Sequence, residues 1–347
     1  MRAAALLTGI DTHLDHLGVL SALLGIPLIV TEERIFQLAK KFYPSCAVEL
    51  LEPSALSLKF LAEHFDVLFE TGRFFAAELS FPLQLFHNKT MRFVHCPHGN
   101  SDKGLTREEL ACQDIALFYG EHQRALLEQT GALAKTQHCI RTGNYRFAFY
   151  REQRAFYDDI TEREVFHHFP RTRPIGLYAP TWNSKEHPSS FFDAAEYLIT
   201  ALKEDFNLLI KVHPYLIEQH PAAVFALENT YAEDSAVHFL NDFPPIYPLL
   251  AKSAFYIGDY SSVGYDFLAF DKPLFFLLPQ SDTSPLRQCG IVLSSKDPNE
   301  IRKRVLSHLE KCPDSYSSVR CKTYLHAFGE EKTKEILCED IFTLIHA

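Results

Sequence analysis

The sequence has no long apolar run. Its longest nearly apolar stretch, Gly18–Val30, contains Pro27 and is too short to span a bilayer. It has no surplus of positive charge either: 34 Lys and Arg stand against 44 Asp and Glu, a net charge of −10. That argues against bulk nucleic-acid binding, yet leaves room for phosphate ligands held by a few local donors. The eight cysteines are Cys46, Cys96, Cys112, Cys139, Cys289, Cys312, Cys321 and Cys338, and no two lie closer than nine positions apart. No CxxC pair therefore exists for zinc or redox chemistry, and the thiols read as buried and free in a reducing compartment. GxxxxGK[ST], GxGxxG and HExxH are all absent. So are low-complexity tracts and repeats at periods of roughly 20–50 residues.

What is there is ordinary for a soluble globular chain: 347 residues, 47% hydrophobic and 22% charged, about two domains' worth. The opening MRAAALLTGID lacks the length and cleavage context of a signal peptide and reads as a first β-strand. A cytoplasmic protein is expected, at most peripheral on the inner face of the cytoplasmic membrane. From there strand and helix alternate. Ala3–Leu7, Pro27–Val30, Ala47–Leu51, Asp66–Glu70, Arg92–Cys96 and Ile115–Tyr119 read as strands, with helices at Leu14–Leu24, Ile35–Phe42 and Leu56–Glu63. The strands are continuous apolar runs, not period-2 alternations, which predicts parallel sheets covered on both faces.

Around Arg151–Arg173 the chain turns charged, aromatic and helical before Pro170 and Pro174. A second series follows. Strands are expected at Ile175–Ala179, Leu208–Val212, Val237–Leu240, Phe255–Ile257 and Leu274–Leu278. Helices are expected at Phe191–Leu202, Leu216–Leu227, Ile246–Lys252, Ser262–Phe270, Asn299–Glu310 and Lys332–Ile345. The implied plan is two Rossmann-like, doubly wound domains, 1–150 and 174–347, joined by a helical connector at 151–173. Ligands of such folds bind beyond the strand C-terminal ends, so a cleft between the domains is expected. The connector is the best candidate for an amphipathic membrane helix. Because it mixes both charge signs, no more than weak peripheral contact is expected.

Four polar clusters follow predicted strands. HCPHGNSDKG at 95–104 offers His98 and Lys103, with Gly99 allowing close backbone approach. A histidine near its ordinary pKa can take a proton from an attacking hydroxyl. YAPTWN at 178–183 holds Thr181, Asn183 and the single tryptophan, Trp182. In KVHP at 211–214, Lys211 and His213 point to one side of a strand end, and Pro214 opens a helix. In GDYSSVGYDF at 258–267, Ser261 and Ser262 sit where a helix begins, an arrangement suited to phosphate, with Asp259 before it and Asp266 one turn on. Each cluster has a plain structural reading: a surface loop, an aromatic under a turn, a satisfied core histidine, a serine N-cap. Four at four strand ends favour a site. DTHLDH at 11–16 spaces His13 and His16 as a metal pair would, but reads more simply as a helix start. With Arg73, these two histidines are the acceptor-side candidates.

Together the motifs resemble the CDP-glycerol (or polyol-phosphate) glycerophosphotransferase family of wall teichoic acid primases and polymerases. The likeness is carried by HGNSDKG at 98–104, YAPTWN at 178–183, KVHP at 211–214 and GDYSSVGYDFLAFDKPLFFL at 258–277. RTGNYR at 141–146 is a weaker match to a GxPR segment, and YLHAFGEEKTKEIL at 324–337 is similar to the family's closing stretch without its usual Asp-Gly. Residues 1–90 carry no family motif. The resemblance implies a GT-B-like fold and transfer of glycerol- or ribitol-phosphate from a CDP-activated donor to a hydroxyl of a glycan, lipid-linked or polyol-phosphate acceptor, with release of CMP. It implies His98 as base and His213 as stabiliser of the diphosphate. The donor would be met by Thr181, Trp182, Asn183, Lys211, Asp259, Ser261, Ser262, Asp266 and Lys103. Asn183 departs from the Arg or acidic residue often found after PTW. No cofactor is expected, with a divalent metal left open. Other readings on the same fold are an NDP-sugar 2-epimerase, a glycosyltransferase and an idle binding subunit.

Overall fold

The computed structural model describes the chain except residues 10, 73–74, 103–104, 106–107, 170–172, 183–188, 278–283, 311–314 and 347. Two compact units form: Met1–Glu152 with Leu325–Ala347, and Gln153–Tyr324.

The first unit holds β1 (Ala3–Leu7), β2 (Leu28–Val30), β3 (Val48–Leu50), β4 (Val67–Glu70), β5 (Arg92–His95), β6 (Ile115–Phe118) and β7 (His138–Arg141). All pair in parallel, in the order β3-β2-β1-β4-β5-β6-β7. The order reverses at the β1/β4 pair, the switch point beyond which open sheets of this kind bind their ligands. Central strands β1, β4 and β6 are buried almost throughout, as their unbroken apolar runs require. One face carries a core of Ala4, Leu6, Leu68 and Phe93 packed under Leu61, Ala76 and Leu83.

The second unit holds β8 (Ile175–Ala179), β9 (Asn207–Ile210), β10 (Val237–Phe239), β11 (Phe255–Gly258), β12 (Leu274–Phe276) and β13 (Ile291–Val292). These too are all parallel, in the order β10-β9-β8-β11-β12-β13, and the reversal falls at β8/β11. Its core joins Phe255, Ile257 and Phe275 of the sheet to Ala195, Leu198, Ile199 and Leu202 of helix Phe191–Leu202.

The expected alternation holds, with informative departures. The end of the chain does not belong to the second unit. Helix Lys334–His346 lays Leu337, Ile341 and Ile345, one face at four-residue spacing, into the first. Arg92 Nη1 on β5 donates to the carbonyls of Leu344 and Ile345, both at 3.0 Å, fixing that helix's last turn. The helical connector at 151–173 divides between the two units. Tyr145–Glu152 closes the first unit and Arg154–Glu164 opens the second. The expected helix Leu216–Leu227 is two, Pro214–Gln219 and Pro221–Thr230, because Pro221 has no N–H to donate and pushes His220 out of helical geometry. Helix Ser317–Phe328 and strand β7 add to the expected elements. Among the described residues the most exposed large apolar side chains, Phe81 and Phe86, lie on helix Phe75–His87 and not on the connector. Among the described residues no helix is long and apolar enough to cross a membrane.

Candidate functional site

In the second unit, three loops leave the C-terminal ends of β8, β9 and β11. The β11 exit is set by Gly258. A Cβ there would lie 2.4 Å from Tyr256 Oη and 2.7 Å from the Ala179 carbonyl, so only glycine lets β11 and β8 run this close. The next residue, Asp259, is buried and turned inward. One carboxylate oxygen accepts the Thr181 N–H at 2.8 Å, and both accept the Ser190 N–H at 3.2 Å. Tyr256 Oη donates to the Asp259 carbonyl at 3.1 Å, and Tyr178 shares a 2.9 Å hydroxyl bond with Ser190. Burial, and after it the Asp259 charge, pushes the Tyr178 phenol far above its ordinary pKa. Asp259 therefore holds the two ends of the β8 loop, where the sequence suggested a donor contact. Asp266 departs in the same way: it is buried one turn into helix Ser262–Phe267 and accepts the Tyr247 hydroxyl at 2.8 Å.

Ser261 and Ser262 are placed as expected. Both are partly exposed at the start of that helix. Ser261 does not cap the helix with its side chain; its Oγ lies 3.4 Å from Tyr256 Oη. At the β9 end, His213 N-caps helix Pro214–Gln219 through Nδ1, which accepts the Tyr215 N–H at 3.2 Å. With Nδ1 an acceptor, the neutral ring carries its proton on Nε2, a donor suited to an anionic oxygen. Tyr215 stacks on His213 at 5.7 Å and meets Trp182 edge-on at 5.8 Å, tying the β8 and β9 loops together. Lys211 is half-buried, its Nζ donating to the Phe243 carbonyl at 2.9 Å. Thr181 joins the site through its clamped backbone. Asn183, Lys103 and Arg73 lie outside the described residues.

In the first unit the loops after β1, β4 and β5 meet. His98 follows β5 and is succeeded by Gly99 at φ +140°, a conformation open to glycine. Its ring stacks on His13, centroids 4.3 Å apart and planes 29° off parallel. His13 Nδ1 lies 2.9 Å from Thr71 Oγ1, just beyond β4. The rest of the HGNSD loop is tied down: Asn100 Nδ2 donates to the Ala327 carbonyl at 2.7 Å, and His122 bridges Asn100 Oδ1 and Asp102 Oδ1, each at 3.1 Å.

His16, expected beside the acceptor, is instead an interior residue. Its Nδ1 lies 2.6 Å from Tyr119 Oη, and burial, then the Arg146 charge, holds the imidazole far below its ordinary pKa. Next to it Asp15 pairs with buried Arg146 and accepts the Tyr43 hydroxyl at 2.8 Å. The two histidines of DTHLDH thus serve different partners. Among the described residues no group of His, Cys, Asp and Glu is arranged to hold a metal ion.

Sequence reading missed Thr71, Glu70, His95 and Gln113. Glu70 and His95 are register partners on β4 and β5, both buried. Burial raises the Glu70 carboxyl to about 8, and Gln113 Nε2 donates to it. Burial, with His98 nearby, lowers His95 to about 3. Both are neutral at pH 7. The polar ends of otherwise apolar strands, VLFE and RFVH, were the available signal.

The fold defines a two-unit, GT-B-like α/β protein. Residues 158–288 match the family model described as CDP-Glycerol:Poly(glycerophosphate) glycerophosphotransferase. The resemblance read from the motifs is shown over that stretch, which takes in KVHP and the DYSS turn. Over 129 residues, 37% of its length, the chain is 32% identical to the teichoic acid glycerol-phosphate primase of Bacillus spizizenii. That match spans only 30% of the primase. Among solved structures, the wall teichoic acid polymerase TagF superposes with a TM-score of 0.69 at 16% identity, covering 99% of this chain and 88% of that one. A UDP-GlcNAc 2-epimerase from Neisseria meningitidis gives 0.62 at 12% identity, covering 99% and 100%. At such identities the two structures establish the fold alone.

Proposed function

We propose that the chain transfers glycerol- or ribitol-phosphate from a CDP-activated donor to a hydroxyl of a glycan, lipid-linked or polyol-phosphate acceptor. The observation that supports this reading is that Thr181, Trp182, His213, Ser261 and Ser262 all follow the C-terminal ends of β8, β9 and β11, within the stretch that matches the family model. In the reaction the acceptor oxygen attacks the β-phosphorus. His98 takes the hydroxyl proton, and the bond from β-phosphorus to the bridging oxygen breaks, releasing CMP. Little covalent help is needed; the task is to position the diphosphate and neutralise its charge. His213 Nε2–H, Lys211, the Ser261 and Ser262 hydroxyls and the N–H groups of their helix do that in this reading, with no resident cofactor called for. Repeating the assay with a chelator reads any contribution of a divalent ion.

The shared epimerase fold makes an NDP-sugar enzyme the second reading. A thermal-shift panel of CDP-glycerol, CDP-ribitol, CMP and UDP-sugars separates the two, because a ligand at 100 times its Kd adds about 2.7 kcal/mol of apparent stability. Stabilisation by UDP-sugars alone would replace the phosphotransferase reading. In a transfer assay, His98→Ala should lower turnover by roughly 10²–10⁴-fold with donor affinity nearly unchanged, since a base acts in the transition state. Ser261→Ala and Ser262→Ala should each weaken donor binding by about 3- to 10-fold, the worth of one hydrogen bond. Equal loss of donor affinity in all three variants would undo this division of roles. The proposed setting is the cytoplasm, with at most weak peripheral membrane contact; co-sedimentation with anionic liposomes at physiological salt would contradict that.

A further inference from the structure

His13 has no part in the reaction as written, yet it is built into the same edge as the base. β1, β4 and β5 are neighbours in the sheet, and the first residues beyond them converge on two imidazoles. His13 ends the short turn Asp11–His13 after β1, is anchored through Nδ1 to Thr71 after β4 at 2.9 Å, and lies against the His98 ring after β5 at 4.3 Å. A solvated surface histidine would be neither anchored on one side nor stacked on the other.

Two rings stacked this closely repel once both are protonated, because like charges in contact disfavour the second proton. The groups around them sharpen the point. His16 on helix Leu14–Leu24 and His95 on β5 are held neutral by burial, and each feels the charge of His98. Glu70 on β4 is a neutral acid at pH 7, its carboxyl raised to about 8. Arg146 of helix Tyr145–Glu152 is paired with Asp15, and Asp102 in the His98 loop is paired with His122. Among the described residues, the ring that faces His98 and can share a proton with it is that of His13.

We infer that His13 is a positioning residue for the base: anchored by Thr71, it sets the plane of the His98 ring and offers the first proton another seat, leaving His98 free to accept the acceptor's proton. This rests on the reading of His98 as base.

The test is a set of variants, His13→Gln, Thr71→Val, Thr71→Ser and His98→Ala, assayed for transfer against pH. His13→Gln should lower kcat by about 10-fold or more, with the donor KM held within about twofold, the pattern of lost transition-state positioning. The acidic limb of kcat/KM should span two protonation steps in the native protein and narrow to one in His13→Gln. Thr71→Val should fall between the two, and Thr71→Ser should restore the native profile. A parallel NMR titration of the His98 Cε1–H should show the same two steps becoming one. If His13→Gln does not fold, Thr71→Val carries both measurements. A native acidic limb and a native His98 titration in the His13 and Thr71 variants would overturn the inference. Retained transfer in His98→Ala would instead remove the base assignment, and the NMR titration would still judge whether the two rings are coupled.

Discussion

Asp259 sits in the motif that most resembles a donor site, yet its carboxylate is buried and accepts backbone N–H groups of the β8 loop, and that makes it a sharp test. Its carboxylate satisfies two buried N–H groups, those of Thr181 and Ser190, at 2.8 and 3.2 Å. Removing the carboxylate in Asp259→Ala strands both donors, at about 1–3 kcal/mol each, so the loss should be about 4 kcal/mol. For a unit of this size each kcal/mol moves Tm by about 2–4 °C, which places the melting point of the second unit about 8–16 °C lower. Asp259→Asn keeps one acceptor oxygen and should lose about half as much. Donor binding should respond differently. A carboxylate is a poor neighbour for a diphosphate, so neutralising it in Asp259→Asn should leave CDP-glycerol affinity unchanged or slightly improved, measured by calorimetry well below the melting point. An Asp259→Asn protein with the native Tm and a tenfold loss of donor affinity would refute the clamp and return Asp259 to the ligand.

Two further outcomes follow from buried groups and close approaches. Glu70, with its carboxyl raised to about 8, binds its proton more tightly folded than unfolded, so stability should fall as pH rises from about 4.5 to 8, by on the order of 5 kcal/mol in all. Glu70→Gln, neutral at every pH, should flatten that slope and melt above the native protein at pH 8.5; an unchanged slope in melts from pH 5 to 9 would count against it. Gly258→Ala should cost about 1–3 kcal/mol by forcing Tyr256 and the Ala179 carbonyl apart, and should weaken CDP-glycerol binding alongside. A variant with native stability and affinity would show that the β8/β11 approach tolerates a methyl group.

Much of the fold was legible because burial writes itself into the chain. Strands enclosed on both faces must be apolar throughout, and β1, helix Leu14–Leu24, β8 and helix Phe191–Leu202 lie where the apolar runs put them. The departures share one cause: they depend on contacts between residues far apart. Helix Lys334–His346 has an ordinary amphipathic pattern, and nothing local says that its apolar face belongs to a sheet formed more than two hundred residues earlier. The double helix at 214–230 was a different miss. Pro221 was present in the sequence, and the local rule that proline breaks a helix was sufficient to split it.

The site divides along the same line. Position relative to a strand end is local, so the loops carrying His98, His213 and Ser261 could be found from sequence. What a side chain in such a loop faces is not local. Asp259 and Ser261 are two residues apart in one motif, but one is spent on backbone N–H groups across the β8 loop while the other stays partly open to solvent. The residues around His98 go further. Thr71 and His13 are separated by 58 positions, and Glu70 meets His95 only through the pairing of β4 with β5. Their proximity follows from the strand order, which periodicity does not encode. Neutral acids and stacked imidazoles at a sheet's C-terminal edge are therefore what sequence reading of this fold class passes over, and what variants should address first.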